Sequence, residues 1–163
     1  METVVPDQEP VREAVQENVV VRLGGCRYGL PMASVAEVGR PPVLTRVPGL
    51  PEWVAGVANW RGRVLAVLDV RPLLGSGRAA LDRRSRMVVL TRDGMQAGLL
   101  VEDVEGTVAV DAAQVEPPLA SLPDRTASLL SGQLTDAQGP CGLVDLPALF
   151  ALAGELPRAR RAT

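Results

Sequence analysis

Apolar residues along this chain fall into short runs broken by glycine, proline and pairs of polar residues. That is the rhythm of strands and tight turns rather than of long helices. "VVVRL" and "CRYGLPM" flank Gly24-Gly25, and "MVVLT" and "MQAGLLV" flank Asp93-Gly94. Both read as hairpins, because Gly-Gly and Asp-Gly adopt the positive φ angles that a two-residue turn needs. The run "GVANWRGRVLAVLDVRPLL", residues 56–74, sets Arg61-Gly62 between two apolar stretches and reads as a further hairpin tip. Two segments carry helical signals: "PGLPEWVAG" has Pro51 placed for a first turn, and "DLPALFALAG" joins helical spacing to a terminal glycine. Residues 1–17, acidic and with a helical turn expected after Pro10, and residues 154–163, basic, read as solvated tails.

The pattern repeats. Shifted by about 69 places, Val19 falls on Val88, Val21 on Leu90, Gly25 on Gly94, Gly29 on Gly98 and Val35 on Val104. Further on the shift is about 76: Gly56 falls on Gly132, Asp69 on Asp145 and Leu73 on Leu149. The shared positions are apolar or glycine, the residues that carry packing and turn geometry. The expectation is a mostly β domain over residues 18–153, built as two similar small β-barrels on a shared core with short helices. Lobe one is expected over about 18–75, lobe two over about 86–140, and a closing strand and helix over 141–153; "GSGRAALDRRSR", 75–86, reads as a solvated loop between lobes. Neither half has a core large enough to stand alone. Under the same alignment Arg61 meets Ala137, Trp60 meets Asp136 and Glu37 meets Gly106. The second barrel is therefore expected to close without these two charges, which frees Glu37 and Arg61 for another role.

Composition removes several chemistries. All 17 basic residues are arginine, with no lysine and no histidine. A Ser-His-Asp or Cys-His arrangement, a histidine-ligated metal, a Walker lysine and a Schiff base are thus excluded. No cofactor and no metal are expected. Net charge is −2, which gives no strong attraction to nucleic acid or to an anionic membrane, and no apolar run is long enough to span a bilayer. Cys26 and Cys141 are isolated and form no Cys-x-x-Cys pair, a usage that fits a reducing cytoplasm.

"GVANWRGRVLAVLDVRPLLG" resembles the signature of CheW-like domains, a Gly-Val-x-Asn-Leu-Arg-Gly turn followed by an apolar strand ending in Asp-Leu-Arg. "YGLPMASVAEVGR", "TRVPGLPEWVAGV", "GLLVEDVEGTVAV" and "CGLVDLPALF" resemble other parts of the family pattern in the same order, over about residues 18–152. Trp60 and Val70 stand where leucine is usual. The resemblance implies two five-stranded SH3-like barrels and a non-enzymatic adaptor, in the cytoplasm and recruited to receptor arrays. Its implied partners are the cytoplasmic tip of a chemoreceptor, bound in a groove near the barrel junction, and the regulatory domain of a CheA-type histidine kinase, bound through barrel ends. No nucleic acid and no direct membrane insertion are implied. The receptor-binding residues carried over are Val35, Glu37, Val57, Asn59, Trp60, Arg61 and Gly62.

Each of these also has a plain structural reading. Arg61 reads equally as a solvated turn residue, as a partner contact, or as an ion pair with Glu37. Asn59 and Gly62 read as turn residues that tolerate positive φ and hold Arg61 in place. Val35 reads as core, since Val104 takes its place in the other copy; Trp60, matched to Asp136, is the better groove anchor. Asp69 and Asp145 read as a shared turn or cap. Two rival functions stand beside the adaptor of swimming chemotaxis. One is the same adaptor serving type IV pili, gliding or a second-messenger pathway. The other is a small enzyme or ligand-binding barrel, which would gather several of Glu37, Asp69, Glu102, Asp103 and Asp145 in one pocket.

Overall fold

The computed structural model describes residues 15–75 and 81–154. Ten strands run in order: β1 (Val15–Leu23), β2 (Cys26–Pro31), β3 (Val35–Gly39), β4 (Val54–Trp60), β5 (Arg63–Leu68), β6 (Arg86–Arg92), β7 (Met95–Val101), β8 (Asp103–Asp111), β9 (Leu130–Asp136) and β10 (Gly139–Val144). Two helices join them, α1 (Asp124–Ala127) and α2 (Leu146–Gly154). Both residues of Gly24-Gly25, Arg61-Gly62 and Asp93-Gly94 have positive φ, so β1–β2, β4–β5 and β6–β7 are hairpins on the turn type that matches strand twist. The repeat is real at the level of elements: a shift of 76 carries β4 onto β9 and β5 onto β10 end for end.

The strands form two five-stranded sheets, ordered β8-β1-β2-β10-β9 and β3-β6-β7-β5-β4. Lobe A, the first, and lobe B, the second, therefore do not follow the two halves of the sequence, and the division at 18–75 and 86–140 is corrected. Each copy gives its first hairpin to one lobe and its last three strands to the other. The exchange is sealed by two parallel pairings, β2 with β10 (Tyr28 beside Gly142) and β5 with β7 (Val67 beside Gly98). The crossings are short: Met32–Ser34 carries the chain from β2 to β3, and Glu102 alone separates β7 from β8. Alternation of apolar residues marks a strand but not its partner, so the swap has no local signature.

Three apolar clusters follow from this topology. Ala58, Leu65, Val67, Met87, Val89 and Leu100 fill lobe B; Val110, Leu134, Cys141 and Leu143 fill lobe A. The largest cluster, including Val21, Leu30, Leu68, Leu90, Leu99 and Phe150, lies between the lobes and joins them. Each lobe covers its outer strand with a loop in the same way. Thr45 exchanges backbone hydrogen bonds with Val57 at 2.8 and 2.9 Å, and Glu116 with Gln133 at 2.8 Å twice. Gly56 and Gly132 permit these close passes: a Cβ there would lie 2.6 Å from the Thr45 carbonyl oxygen and 2.5 Å from Val115 Cγ1.

Other expectations fare unevenly. Asp145 accepts from the Ala148 N–H at 3.2 Å to cap α2, and Asp69 accepts from the Arg71 N–H at 3.2 Å, so the two aspartates do cap equivalent turns. "PGLPEWVAG" is not helical: it bends through turns into β4, with Gly49 at φ +84° and the Val54 N–H bonded to the Pro51 carbonyl. The strand ladder starts at Val15, inside the stretch expected as tail, because Val15, Gln16 and Glu17 pair with Asp111, Val110 and Ala109. At the other end α2 runs on to Gly154. The helical turn after Pro10, the remaining C-terminal tail and the middle of the 75–86 loop lie outside the described residues.

The lobes are also tied by charge. Arg71 is buried and donates to Asp69 at 2.9 and 2.8 Å and to Glu102 at 3.1 Å. Glu102 in turn accepts from the Gly25 N–H at 3.1 Å, which reaches the β1–β2 turn of lobe A. Burial would raise the Glu102 pKa, but these hydrogen bonds outweigh it and the net shift is downward.

Candidate functional site

The β4–β5 tip holds Arg61 at φ +50°, a conformation that glycine, asparagine and aspartate adopt more cheaply. Positive φ falls on Arg61 and Gly62, not on Asn59, which stays extended and accepts from the Gly62 N–H through Oδ1 at 3.2 Å. The turn sends the Arg61 guanidinium across to β3. Its Nε donates to Glu37 Oε1 and Oε2 at 2.8 and 3.0 Å, and its Nη2 also meets Oε1. Trp60 Nε1 donates to Glu37 Oε2 at 3.0 Å, and the Arg61 guanidinium carbon lies 5.6 Å from the Trp60 ring centroid. The Arg61 hydrogen bonds, with the Trp60 N–H second, hold the Glu37 carboxyl below the usual carboxylate range. β3 and β4 are the two outer strands of lobe B, so these three residues latch the barrel's open seam. Glu37 reaches it because a bulge between Val35 and Glu37 turns its side chain to the barrel mouth.

The carried-over residues do not share one surface. Trp60 and Ala58 face the interior cluster of lobe B, whereas Val57 and Asn59 alternate to the outer face of β4. Trp60 thus plugs the barrel mouth, with Gly39 making room: a Cβ at Gly39 would be 2.9 Å from the ring. Val35 packs on the core between the lobes, as its plain reading required. On the outer face, cross-strand pairs run Val57–Ala66 and Ala97–Leu90–Val35, and in the next row Asn59–Val64 and Met95–Arg92. The β5–β7 register, continued outward, sets Ala66 beside Ala97 and Val64 beside Met95. The first row sinks into the shared core from Ala97 to Val35 and is half-covered at its Val57–Ala66 end. The second stands clear of it, with Val64 79% and Met95 54% exposed.

This apolar face, Val57, Val64, Ala66 and Met95, is what sequence reading missed in part. The signal was present: "RVLAVL" does not alternate, so β5 has apolar side chains on both faces, and one of them has only partial cover. The corresponding positions of lobe A are Gln133, Pro140, Gly142 and Cys26, so the apolar face is a property of lobe B alone. Lobe A closes without counterparts of Glu37 and Arg61, whose places Gly106 and Ala137 take, but it holds charges of its own at the mouth. Arg27 reaches from β2 to Asp136, which stands in Trp60's place, at 2.9 and 3.0 Å, and Glu105 on β8 pairs with Arg22. The Arg27 hydrogen bonds hold the Asp136 carboxyl low. A polar latch thus lies at each mouth, and its chemistry differs between the lobes.

The carboxylates proposed for a pocket are dispersed. Asp69 and Glu102 meet on Arg71, Glu37 belongs to the latch, Asp103 accepts from the Val104 N–H at 2.8 Å, and Asp145 caps α2.

A model of the CheW-like domain matches residues 17–154. The chain belongs to the CheW-like domain family. Protein PilI of Pseudomonas aeruginosa is 39% identical over 97 residues, 58% of this chain and 54% of PilI. Protein FrzA of Myxococcus xanthus is 36% identical over 103 residues, 63% of this chain and 64% of FrzA. The match to each of these two relatives thus spans less than two thirds of its length. The crystal structure of the scaffolding protein TtCheW from Thermoanaerobacter tengcongensis superimposes with a TM-score of 0.72 at 26% identity, covering 80% of this chain and 84% of that one. The two sheets are accordingly the paired SH3-like lobes of a CheW-like domain.

Proposed function

We propose that this CheW-like domain is a non-enzymatic adaptor that couples the cytoplasmic tip of a chemoreceptor to the regulatory domain of a CheA-type kinase. The observation that carries the reading is the family match over residues 17–154 on a fold in which lobe B alone leaves an apolar face open. Val57, Val64, Ala66 and Met95 offer a helix an apolar seat, and Arg61 stands beside it 72% exposed although paired with Glu37. Val35 and Trp60 support that seat from the core and from the barrel mouth. The adaptor needs no strong single contact, because linked weak contacts in an array gain by effective concentration. Its place of action is the cytoplasm, at receptor arrays. Among the described residues no helix is long and apolar enough to cross a membrane.

Identity to PilI and FrzA, 39% and 36%, exceeds the 27% or less found with the CheW relatives, and this supports a pathway other than swimming chemotaxis. Titration of the protein with a receptor-tip fragment and with the kinase regulatory domain from the same genome tests the adaptor. Binding to both, with Arg61→Ala and Val64→Asp impaired for the receptor fragment only, is the expected result. Failure of the folded protein to bind either would remove the reading. Deletion of the gene, scored for swimming and for surface motility, separates the two pathways.

A further inference from the structure

The two barrels differ at the end away from their latches. In lobe A the latch lies by the cross-strand pair Arg22–Arg27, and the same ladder ends on its other side in the pair Asn18–Pro31. The repeat places Met87–Leu100 there in lobe B, and both of these side chains lie in that barrel's own apolar cluster. Gly29 and Gly98 make equivalent room: an added Cβ would stand 3.2 Å from Asn18 Oδ1 in one lobe and 2.7 Å from Met87 Sδ in the other. Asn18 thus occupies in lobe A the place that Met87 fills in lobe B, and Ser131 likewise stands where lobe B has Ala55. Lobe B shows that the fold accepts apolar side chains at both places, so folding requires neither the amide nor the hydroxyl. Asn18 is nonetheless only 5% exposed, and no described residue hydrogen-bonds its side-chain amide. A buried amide without a partner lowers stability. It faces a cavity of about 230 Å³ in which Gln16, Asn18 and Ser131 stand among apolar walls that include Val110, Val115 and Leu143. Ser131 donates to the Leu143 carbonyl at 3.4 Å and keeps its oxygen lone pairs for a ligand. None of the described residues lining the cavity is charged.

We propose that this cavity binds a small neutral molecule made of one apolar ring and a carboxamide or lactam edge, held by a two-point hydrogen bond to the Asn18 side chain. The Asn18 amide sets a donor and an acceptor side by side, which is the complement of a second amide edge. The Ser131 oxygen adds an acceptor, and the apolar walls suit the ring. A charged ligand would lose its hydration here and find no counter-charge, so the site selects against carboxylates and ammonium groups of the same shape. The cavity is smaller than the roughly 300–1,000 Å³ of sites for drug-sized ligands, which limits the ligand to about one ring. None of the lining residues belongs to the open face of lobe B, so this site and the proposed receptor seat are tested separately.

The probe is benzamide, with benzoate as its charged isostere, each titrated into the isotope-labelled full chain and followed by backbone amide chemical shifts. Wild type, Asn18→Met and Ser131→Ala are compared, the two variants carrying the residue types that lobe B has at these places. Each is first shown by thermal melting to fold. The expected result is a saturable shift of the Gly29, Ser131 and Leu143 amides by benzamide with about millimolar affinity, the range open to a single-ring ligand. Benzoate is expected to bind at least about tenfold more weakly. Ser131→Ala should weaken benzamide binding by about two- to tenfold, the loss of one hydrogen bond. Asn18→Met should abolish benzamide binding and, with the unpaired amide gone, melt above wild type. If benzamide produces no saturable shift at these residues in wild type, the cavity holds water only and the proposal is overturned. It is equally overturned if benzoate binds as well as benzamide, or if folded Asn18→Met still binds benzamide. Should Asn18→Met fail to fold, Ser131→Ala decides: an unchanged affinity overturns the proposal.

Discussion

Removing the Trp60 ring probes the latch and the packing beneath it together. Complete burial of a tryptophan makes its replacement by alanine cost about 3–5 kcal/mol. Trp60 is half-buried, so Trp60→Ala should cost about 2 kcal/mol, which for a chain of this length lowers Tm by about 4–8 °C. The ring also explains Gly39, whose added Cβ would stand 2.9 Å from its far edge. Gly39→Ala in the wild type should be destabilising by about 1 kcal/mol from overpacking, softened by the lower entropy of the unfolded chain. In the Trp60→Ala background the crowding is gone and only the entropic benefit of about 0.5 kcal/mol remains. The two substitutions should therefore be coupled by about 1.5 kcal/mol, beyond the ~0.3–0.5 kcal/mol scatter of independent sites. Urea unfolding followed by far-ultraviolet circular dichroism, with the m-value checked for constancy, measures all four corners of the cycle. Additivity within that scatter would show that the ring does not lie over Gly39 and would refute the barrel-mouth packing.

Four further outcomes follow from the structure. Glu37 has a lowered pKa in the fold, so its contribution is full above the ordinary glutamate pKa of 4.5 and is lost only as pH falls through the lower folded value; Glu37→Gln should remove this acid-side dependence from Trp60 fluorescence. Gly56→Ala combines a φ of +152° with a 2.6 Å approach to the Thr45 carbonyl oxygen and should cost about 2–4 kcal/mol in a chemical melt, more than Gly132→Ala, where part of the crowding comes from the Val115 side chain, which can rotate. Arg71→Leu leaves Asp69 buried and Glu102 half-buried without their guanidinium and should cost about 3 kcal/mol; a loss below 1 kcal/mol would show that the lobes do not depend on this tie. Burial pushes the phenol of Tyr28, the chain's single tyrosine, up to about 12, so an ultraviolet titration should show ionisation well above the ordinary value of 10.0, with stability falling as pH rises past that value.

Local sequence reading succeeds here where the physics is local. Gly24-Gly25 and Asp93-Gly94 specify turns of positive φ, and alternating runs specify strands, so the hairpins, the repeat and the mostly β architecture are legible from the chain alone. Asp145 at the start of α2 and Asp69 before Arg71 are legible for the same reason, since a cap is satisfied within three residues. "PGLPEWVAG" misleads because a proline suited to a first helical turn is equally suited to the turn that enters β4. The Glu37–Arg61 pair was open to sequence as one alternative, but its third member was not. Trp60 joins it only because β3 and β4, separated by a loop, are the outer strands of one sheet.

Tertiary structure alone decided the rest. Which hairpin joins which three strands depends on the parallel pairings of β2 with β10 and β5 with β7, contacts between residues more than a hundred and about thirty positions apart, respectively. No period or turn residue encodes such a choice, because it is made by burying the large cluster between the lobes. The bulge at Val35–Glu37 sends two nearby side chains to opposite sides of a strand, one into the shared core and one to the latch. The exposure of Val64 and Met95 follows from where the shared core ends across the sheet. The sequence determined that these residues are apolar strand residues; only the docking of the two lobes determined that they are left uncovered.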